Sequence, residues 1–158
     1  MKKIFSLGLL FGVILYGCTS NTSSNGFFLP SIEASIEGVS VKTISGTNVA
    51  TFDTINKTLT ISGHLDSTGK ESLVISLSRT IEGITKYDHS NSGIFYFIGK
   101  GIDTFYTSVG AGNEIVNLEE YDTIKKIVSG TFTSDVFLAG QRKAIKNGSF
   151  INIPLVLY

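Results

Sequence analysis

One cysteine, Cys18, two histidines, His64 and His89, and the adjacent carboxylates Glu119 and Glu120 are the residues with the most evident chemistry in this 158-residue chain. A zinc site takes four nitrogen or sulfur ligands when structural and three protein ligands when catalytic. Two histidines would need carboxylates to complete either set. His64 follows Gly63 near Asp66, and His89 lies in the polar run from Lys86 to Gly93. Both read as loop histidines facing water, so neither a metal nor another cofactor is expected. Glu119 and Glu120 are neighbours, and neighbours on a strand point to opposite faces, so they cannot flank one glycosidic bond. No Gly-x-Ser-x-Gly elbow occurs, and Gly110-Ala111-Gly112-Asn113 lacks the spacing and the helix of a phosphate loop. No catalytic residue is assigned, and a non-enzyme is expected.

The aromatics give a more specific candidate. Phe95, Tyr96, Phe97, Phe105 and Tyr106 fall on two neighbouring strands separated by a turn at Gly99–Gly101. Packing on one face of a sheet accounts for alternate members only. The remainder form a candidate recognition stripe for a glycan, an envelope protein or a small apolar ligand.

Period-two alternation dictates the elements that carry these residues. Leu59 and Ile61 oppose Thr58, Thr60 and Ser62, while Leu73, Ile75 and Leu77 oppose Ser72, Ser76 and Ser78. Each pattern describes a strand with one buried and one wet face. Val116 with Leu118, Val128 with Phe132, and Phe150 to Leu157 continue the series, and no window of helical period exceeds about two turns. Glu37-Gly38, between Ile36 and Val39, reads as a two-residue hairpin turn. Ile94 to Ile98, apolar on both faces, predicts a central or covered strand. Pro154 predicts an edge or a strand end, because proline lacks the ladder donor. The expected fold is all-β: a single antiparallel β-sandwich or flattened meander barrel of about 8–10 short strands over residues 31–158.

The amino-terminal segment carries the address. Lys2 and Lys3 precede an apolar run from Ile4 to Leu15, which ends in Leu15-Tyr16-Gly17-Cys18. A positive tip and a short apolar core form a secretory signal, too short for the ~20 apolar residues of a membrane span. The last four residues resemble the lipobox of bacterial lipoproteins, with Tyr16 departing from its usual small residue. The resemblance implies a signal peptide over residues 1–17, acylation at Cys18 and a membrane partner through the lipid. Thr19, where aspartate would signal inner-membrane retention in enteric bacteria, points to the outer membrane. Residues 18–30 read as the lipidated cysteine and a polar tether, with Phe27, Phe28 and Leu29 docking as the lead-in to the domain.

Removal of residues 1–17 would leave 141 residues with a side-chain charge of −2, since Lys2 and Lys3 leave with them. A near-neutral surface without a basic block argues against a nucleic-acid partner. A monomer is expected. The function read from these features is a binding or envelope-structural β-domain. The alternative is a calycin-like carrier of a small apolar ligand, which would need a closed barrel with an apolar cavity. An envelope hydrolase has only unplaced carboxylates in its favour.

Two further patterns remain. Phe52-Asp53-Thr54-Ile55-Asn56-Lys57 is echoed by Tyr121-Asp122-Thr123-Ile124-Lys125-Lys126. Aspartate and threonine cap turns by accepting from nearby amides, so the echo predicts two hairpins with one turn chemistry. Asp53-Thr54-Ile55, Asp66-Ser67-Thr68 and Asp122-Thr123-Ile124 also resemble the site of the general O-glycosylation system of Bacteroidetes. That resemblance implies glycans on Thr54, Ser67 or Thr123. The run from Glu114 to Phe132, with Asn147-Gly148-Ser149-Phe150 and Ile153-Pro154-Leu155, resembles an uncharacterised family of Bacteroidetes lipoproteins with a β-rich domain of unknown function. It implies the lipoprotein address and carries no catalytic residue.

Overall fold

A computed structural model describes residues 29–80, 83–99 and 104–158. Cys18 and residues 1–28 lie outside that range. The chain is all-β, with eleven strands among the described residues. They are β1 (Ser31–Ile36), β2 (Val39–Lys42), β3 (Val49–Asp53), β4 (Thr58–His64), β5 (Glu71–Leu77), β6 (Lys86–Asp88), β7 (Ser92–Ile98), β8 (Phe105–Thr107), β9 (Ile115–Asp122), β10 (Ile127–Leu138) and β11 (Gln141–Leu157).

The pairing order is β2-β1-β11-β3-β4-β5-β7-β8-β10-β9-β6, and β10 also pairs with β11. Strands β3, β4, β5, β7, β8, β10 and β11 therefore close into a ring, and β1–β2 and β9–β6 extend the β10–β11 hairpin on either side. The interior separates two layers: the Phe52 ring on β3 meets the Tyr121 ring on β9, a strand with which β3 does not pair, edge-on at 5.7 Å. Inward residues fill that space, including Ile32, Leu59, Ile61, Leu73, Ile75, Tyr87, Ile94, Ile145, Phe150 and Ile153, each fully buried.

Three features depart from a short-stranded antiparallel meander. β10 and β11 are 12 and 17 residues long. β11 runs parallel to β3, with Leu155, Val156 and Leu157 opposite Ala50, Thr51 and Phe52. The chain order is also not the spatial order, because β11 lies between β1 and β3. One strand can serve both layers because it bends. Asn147 and Asn152 have positive φ of 51° each, and the β10–β11 register shifts within Phe132/Ser134 and Val128/Gly130. Bulges of this kind kink a strand and increase its twist.

Pro154 sits in this interior strand, not at an edge. Leu155 sends its amide to Lys126 of the β10 side at 2.8 Å, so position 154 turns the other way. On that flank the pairing with β1 reaches no further than Ser31 opposite Ile151, and the pairing with β3 starts with Ala50 opposite Leu155, so no ladder donor is needed between them.

The Glu37-Gly38 turn joins Ile36 to Val39, with φ of 51° and 82°, as the right-handed twist of a two-residue hairpin requires. The echoed hexapeptides form the β3–β4 and β9–β10 hairpins with the same bonds. Asp53 Oδ1 accepts from the Ile55 and Asn56 amides at 2.8 and 2.9 Å. Asp122 Oδ1 accepts from Ile124 and Lys125 at 2.9 and 2.7 Å. Lys57 and Lys126 then take positive φ, and each carbonyl accepts from a neighbouring segment, Thr80 and Leu155 respectively.

These bonds hold the turn carboxylates in their charged form. The Asn56 amide foremost keeps Asp53 below the usual aspartate range, and the Lys125 amide does so for Asp122. At Asp66 and Asp88 the leading cause is a side-chain hydroxyl, of Thr68 and Ser90. Folded-state values lie below the unfolded value of ~3.9. The stability they confer is complete above that pH and is lost as pH falls through the lowered values. The melting temperature is thus expected to drop on acidification below about pH 4, the ordinary aspartate value. In Asp53→Asn/Asp122→Asn, which keeps the accepting oxygen but cannot titrate, thermal melts between pH 2 and 5 should show a shallower acid limb. An unchanged limb would contradict the assignment.

Candidate functional site

Alternation divides the five aromatics. Tyr96 and Tyr106 face inward, where Tyr106 is 4% exposed and Tyr96 packs against the core. Their rings stack at 6.1 Å. Tyr106 donates to Gln141 Oε1 at 3.0 Å, and Lys143 Nζ lies 5.2 Å over its ring. Burial foremost raises the Tyr96 hydroxyl above the usual tyrosine value, with Glu71 and Tyr106 adding to it. These two tyrosines leave the recognition stripe, because an interior ring cannot meet a partner.

Phe95, Phe97 and Phe105 face outward and are partly exposed. The Phe105 ring touches both others, at 5.8 Å from Phe95 and 5.2 Å from Phe97. The β7–β8 register places Phe97 opposite Phe105 and Phe95 opposite Thr107. Across β7, Phe97 faces Ser72 and Phe95 faces Val74. Val74 in turn faces Ser62, which faces Val49, and Ser72 faces His64. One outward row therefore runs Val49-Ser62-Val74-Phe95, and the next His64-Ser72-Phe97-Phe105.

Between these rows lies an open depression of about 330 Å³ with Val74 and Phe97 in its wall and Ser62, His64, Ser72 and Thr47 supplying polar groups. Apolar rings beside hydroxyls suit a ligand with an apolar face and a polar rim. Sequence spacing alone reached the phenylalanines and missed Val49, Ser62, His64, Ser72 and Val74. Val74, between Leu73 and Ile75, was the available signal, since it makes β5 apolar on both faces there. A larger depression of about 490 Å³ crosses β9–β11 on the other layer. It is less suited to recognition, because its one ring, Phe132, is buried against Gly148.

His64 is exposed at the end of β4, where its ring lies 3.5 Å from the position a Cβ on Gly69 would take, and His89 is exposed in the β6–β7 turn. Among the described residues no three histidine, cysteine or acidic side chains gather as a metal ion would need. Glu119 is exposed at a register shift between β9 and β10, and Glu120 pairs with Lys125 at 3.3 Å. Thr54, Ser67 and Thr123 are all exposed, and Thr54 Oγ1 donates to the Tyr158 carbonyl at 2.9 Å. Leu29 is 67% exposed, so this part of the lead-in does not dock; Phe27 and Phe28 lie outside the described residues.

Glu114 is the acidic residue that sequence reasoning passed over. It is 1% exposed, and neither carboxylate oxygen has a hydrogen-bond partner. It shares the inward phase of Val116 and Leu118, so the alternation carries a carboxyl into the interior. No family model matches this chain, and no curated protein and no solved structure is similar to it.

Proposed function

We propose that the chain is a lipid-anchored, non-enzymatic β-domain of a bacterial outer envelope that binds an envelope glycan on the outward face of β3–β4–β5–β7–β8. The observation that carries the binding reading is the outward trio Phe95, Phe97 and Phe105 beside the hydroxyl-bearing depression. Sugar rings present apolar faces that pack on aromatics, and their hydroxyls bond to serine and histidine. A side-chain charge of −2 for residues 18–158 fits a neutral ligand better than a polyanion. The filled interior favours surface binding over carriage in a barrel cavity, because Phe150, Tyr87 and the aliphatic residues around them occupy the centre.

Titration with envelope polysaccharide fragments, followed by amide NMR, is expected to shift Ser62, Ser72, Val74 and Phe97, and Phe97→Ala/Phe105→Ala is expected to abolish those shifts. Unperturbed amides at saturating polysaccharide would overturn the glycan reading. The anchor rests on Lys2-Lys3, the apolar run and Cys18, and on the likeness to Bacteroidetes lipoproteins. Cys18→Ser is expected to move the domain from the membrane fraction to the soluble one. A variant that still sediments with salt-washed membranes would refute acylation at Cys18.

A further inference from the structure

The two echoed hairpins expose an isoleucine each at the same position. Ile55 is 87% exposed and Ile124 is 93% exposed. Neither side chain is needed by its turn. The bonds are made by the preceding aspartate and by the isoleucine's backbone amide, which any residue but proline supplies. An apolar side chain left in water twice, at equivalent places, gives the fold nothing.

Both tips lie at one end of the molecule. Phe52 and Tyr121, three residues before the isoleucines, are in ring contact, and Phe52 pairs with Leu157 at the end of β11. Exposed cations accompany them: Lys57 follows the first tip, and Lys125 and Lys126 follow the second. Arg79, also exposed, is brought alongside by the Thr80 amide, which donates to the Lys57 carbonyl at 2.7 Å. The turn aspartates are occupied by backbone amides, and Glu120 and Asp122 are bridged by Lys125 at 3.3 Å each.

The direction of chain entry selects what this end meets. β1 is antiparallel to β11 with Ser31 opposite Ile151, so the chain enters β1 from the side of Leu157. From Ile151 to Leu157 is about 20 Å at ~3.3 Å per residue, and from Ile151 back to Gln141 at the other end is about 33 Å. Ten residues separate Cys18 from Leu29. Their eleven Cα steps reach at most about 40 Å. With Cys18 in a bilayer, the tip end meets the surface well within that reach. Presenting the opposite end would require nearly full extension along the domain's flank.

We infer that the end bearing Ile55 and Ile124 is a bilayer-docking surface, with the isoleucines entering the headgroup region and Lys57, Arg79 and Lys126 facing lipid phosphates. The inference rests on acylation at Cys18. Docked this way, the domain stands on the membrane in a fixed orientation, not only tethered to it.

The test uses the full chain, expressed in a host that acylates exported lipoproteins and reconstituted in phosphatidylethanolamine–phosphatidylglycerol vesicles, with intact mass recorded first. Ile55→Cys, Ile124→Cys and, at the opposite end, Val39→Cys each carry an environment-sensitive fluorophore. Cys18 is the single native cysteine, so acylation leaves one thiol to label. Val39 is 66% exposed and pairs with Ile36, which lies opposite Ile145 at the end of β1 away from Leu157, so it serves as the control. The expected result is an acylated mass, with labels at 55 and 124 quenched by brominated lipid and the label at 39 unquenched. An acylated chain whose three labels are equally unquenched overturns docking and leaves the anchor standing. A chain without acyl mass overturns the anchor and docking together. Sugar mass on Thr54 or Thr123 with unquenched tips assigns this end to a glycan shield and also overturns docking.

Discussion

Gly130→Ala and Gly148→Ala are each expected to destabilise the domain by about 3 kcal/mol, the upper range for overpacking a core. For a domain of this size that lowers the melting temperature by ~10 °C. The two glycines form a reciprocal pair with two rings. Gly130 lies opposite Phe150, and Phe132 lies opposite Gly148, on the β10–β11 hairpin. A Cβ at position 130 would stand 2.2 Å from the Asn117 carbonyl oxygen and 2.5 Å from the Phe150 ring. At position 148 it would meet three atoms of the Phe132 ring at 2.6 to 2.7 Å. Both rings are buried and stack at 6.4 Å, so neither has a free direction in which to retreat. Differential scanning calorimetry measures the effect. Gly148→Ala should be partly rescued by Phe132→Leu, whereas Gly130→Ala should not be, because part of its clash is with backbone. Loss of less than about 1 kcal/mol at both positions, the lower bound for overpacking, would show that the sheet yields there.

Glu114→Met is expected to act in the opposite direction and stabilise the fold by about 1–3 kcal/mol, the cost of leaving a buried polar group unsatisfied. Glu114 sits inward with Val116 and Leu118, and both its oxygens lack partners. A side chain of similar length without the carboxyl removes the desolvation cost and keeps the packing. Glu114→Gln retains a buried polar group and should gain much less. Denaturant titrations compare the three proteins. If Glu114→Met is less stable than the parent, the carboxyl is bonded in solution and its burial is compensated.

Stability and recognition fall on opposite faces of the same strands. In β5, Leu73, Ile75 and Leu77 close the interior while Ser72 and Val74 face the proposed ligand. Truncating the outward phenylalanines should therefore alter binding with a smaller stability cost than truncating Phe150, which is fully buried.

Much of this architecture was readable from residue order alone. Period-two alternation identified the inward sets Leu59/Ile61, Leu73/Ile75/Leu77, Val116/Leu118 and Val128/Phe132, all of them buried. Local chemistry identified the Glu37-Gly38 hairpin and the shared Asp-Thr-Ile turns, because an Asx turn is made within four residues. The same alternation split the aromatic cluster in principle, but which half faced water depended on the phase of β7 and β8 against their partners. Long-range pairing was not written locally. The parallel contact of β11 with β3 joins residues about one hundred positions apart, and the bulges at Asn147 and Asn152 appear only as the register of two long strands is set. Tertiary structure alone brought the Ile55 and Ile124 hairpins to one end, assembled Val49, Ser62, His64, Ser72 and Val74 around Phe97, and enclosed Glu114. Each of these depends on which strands become neighbours. That choice is made by the summed burial of whole faces, while a turn or an alternation is fixed by the backbone sterics and hydrogen bonds of a few adjacent residues.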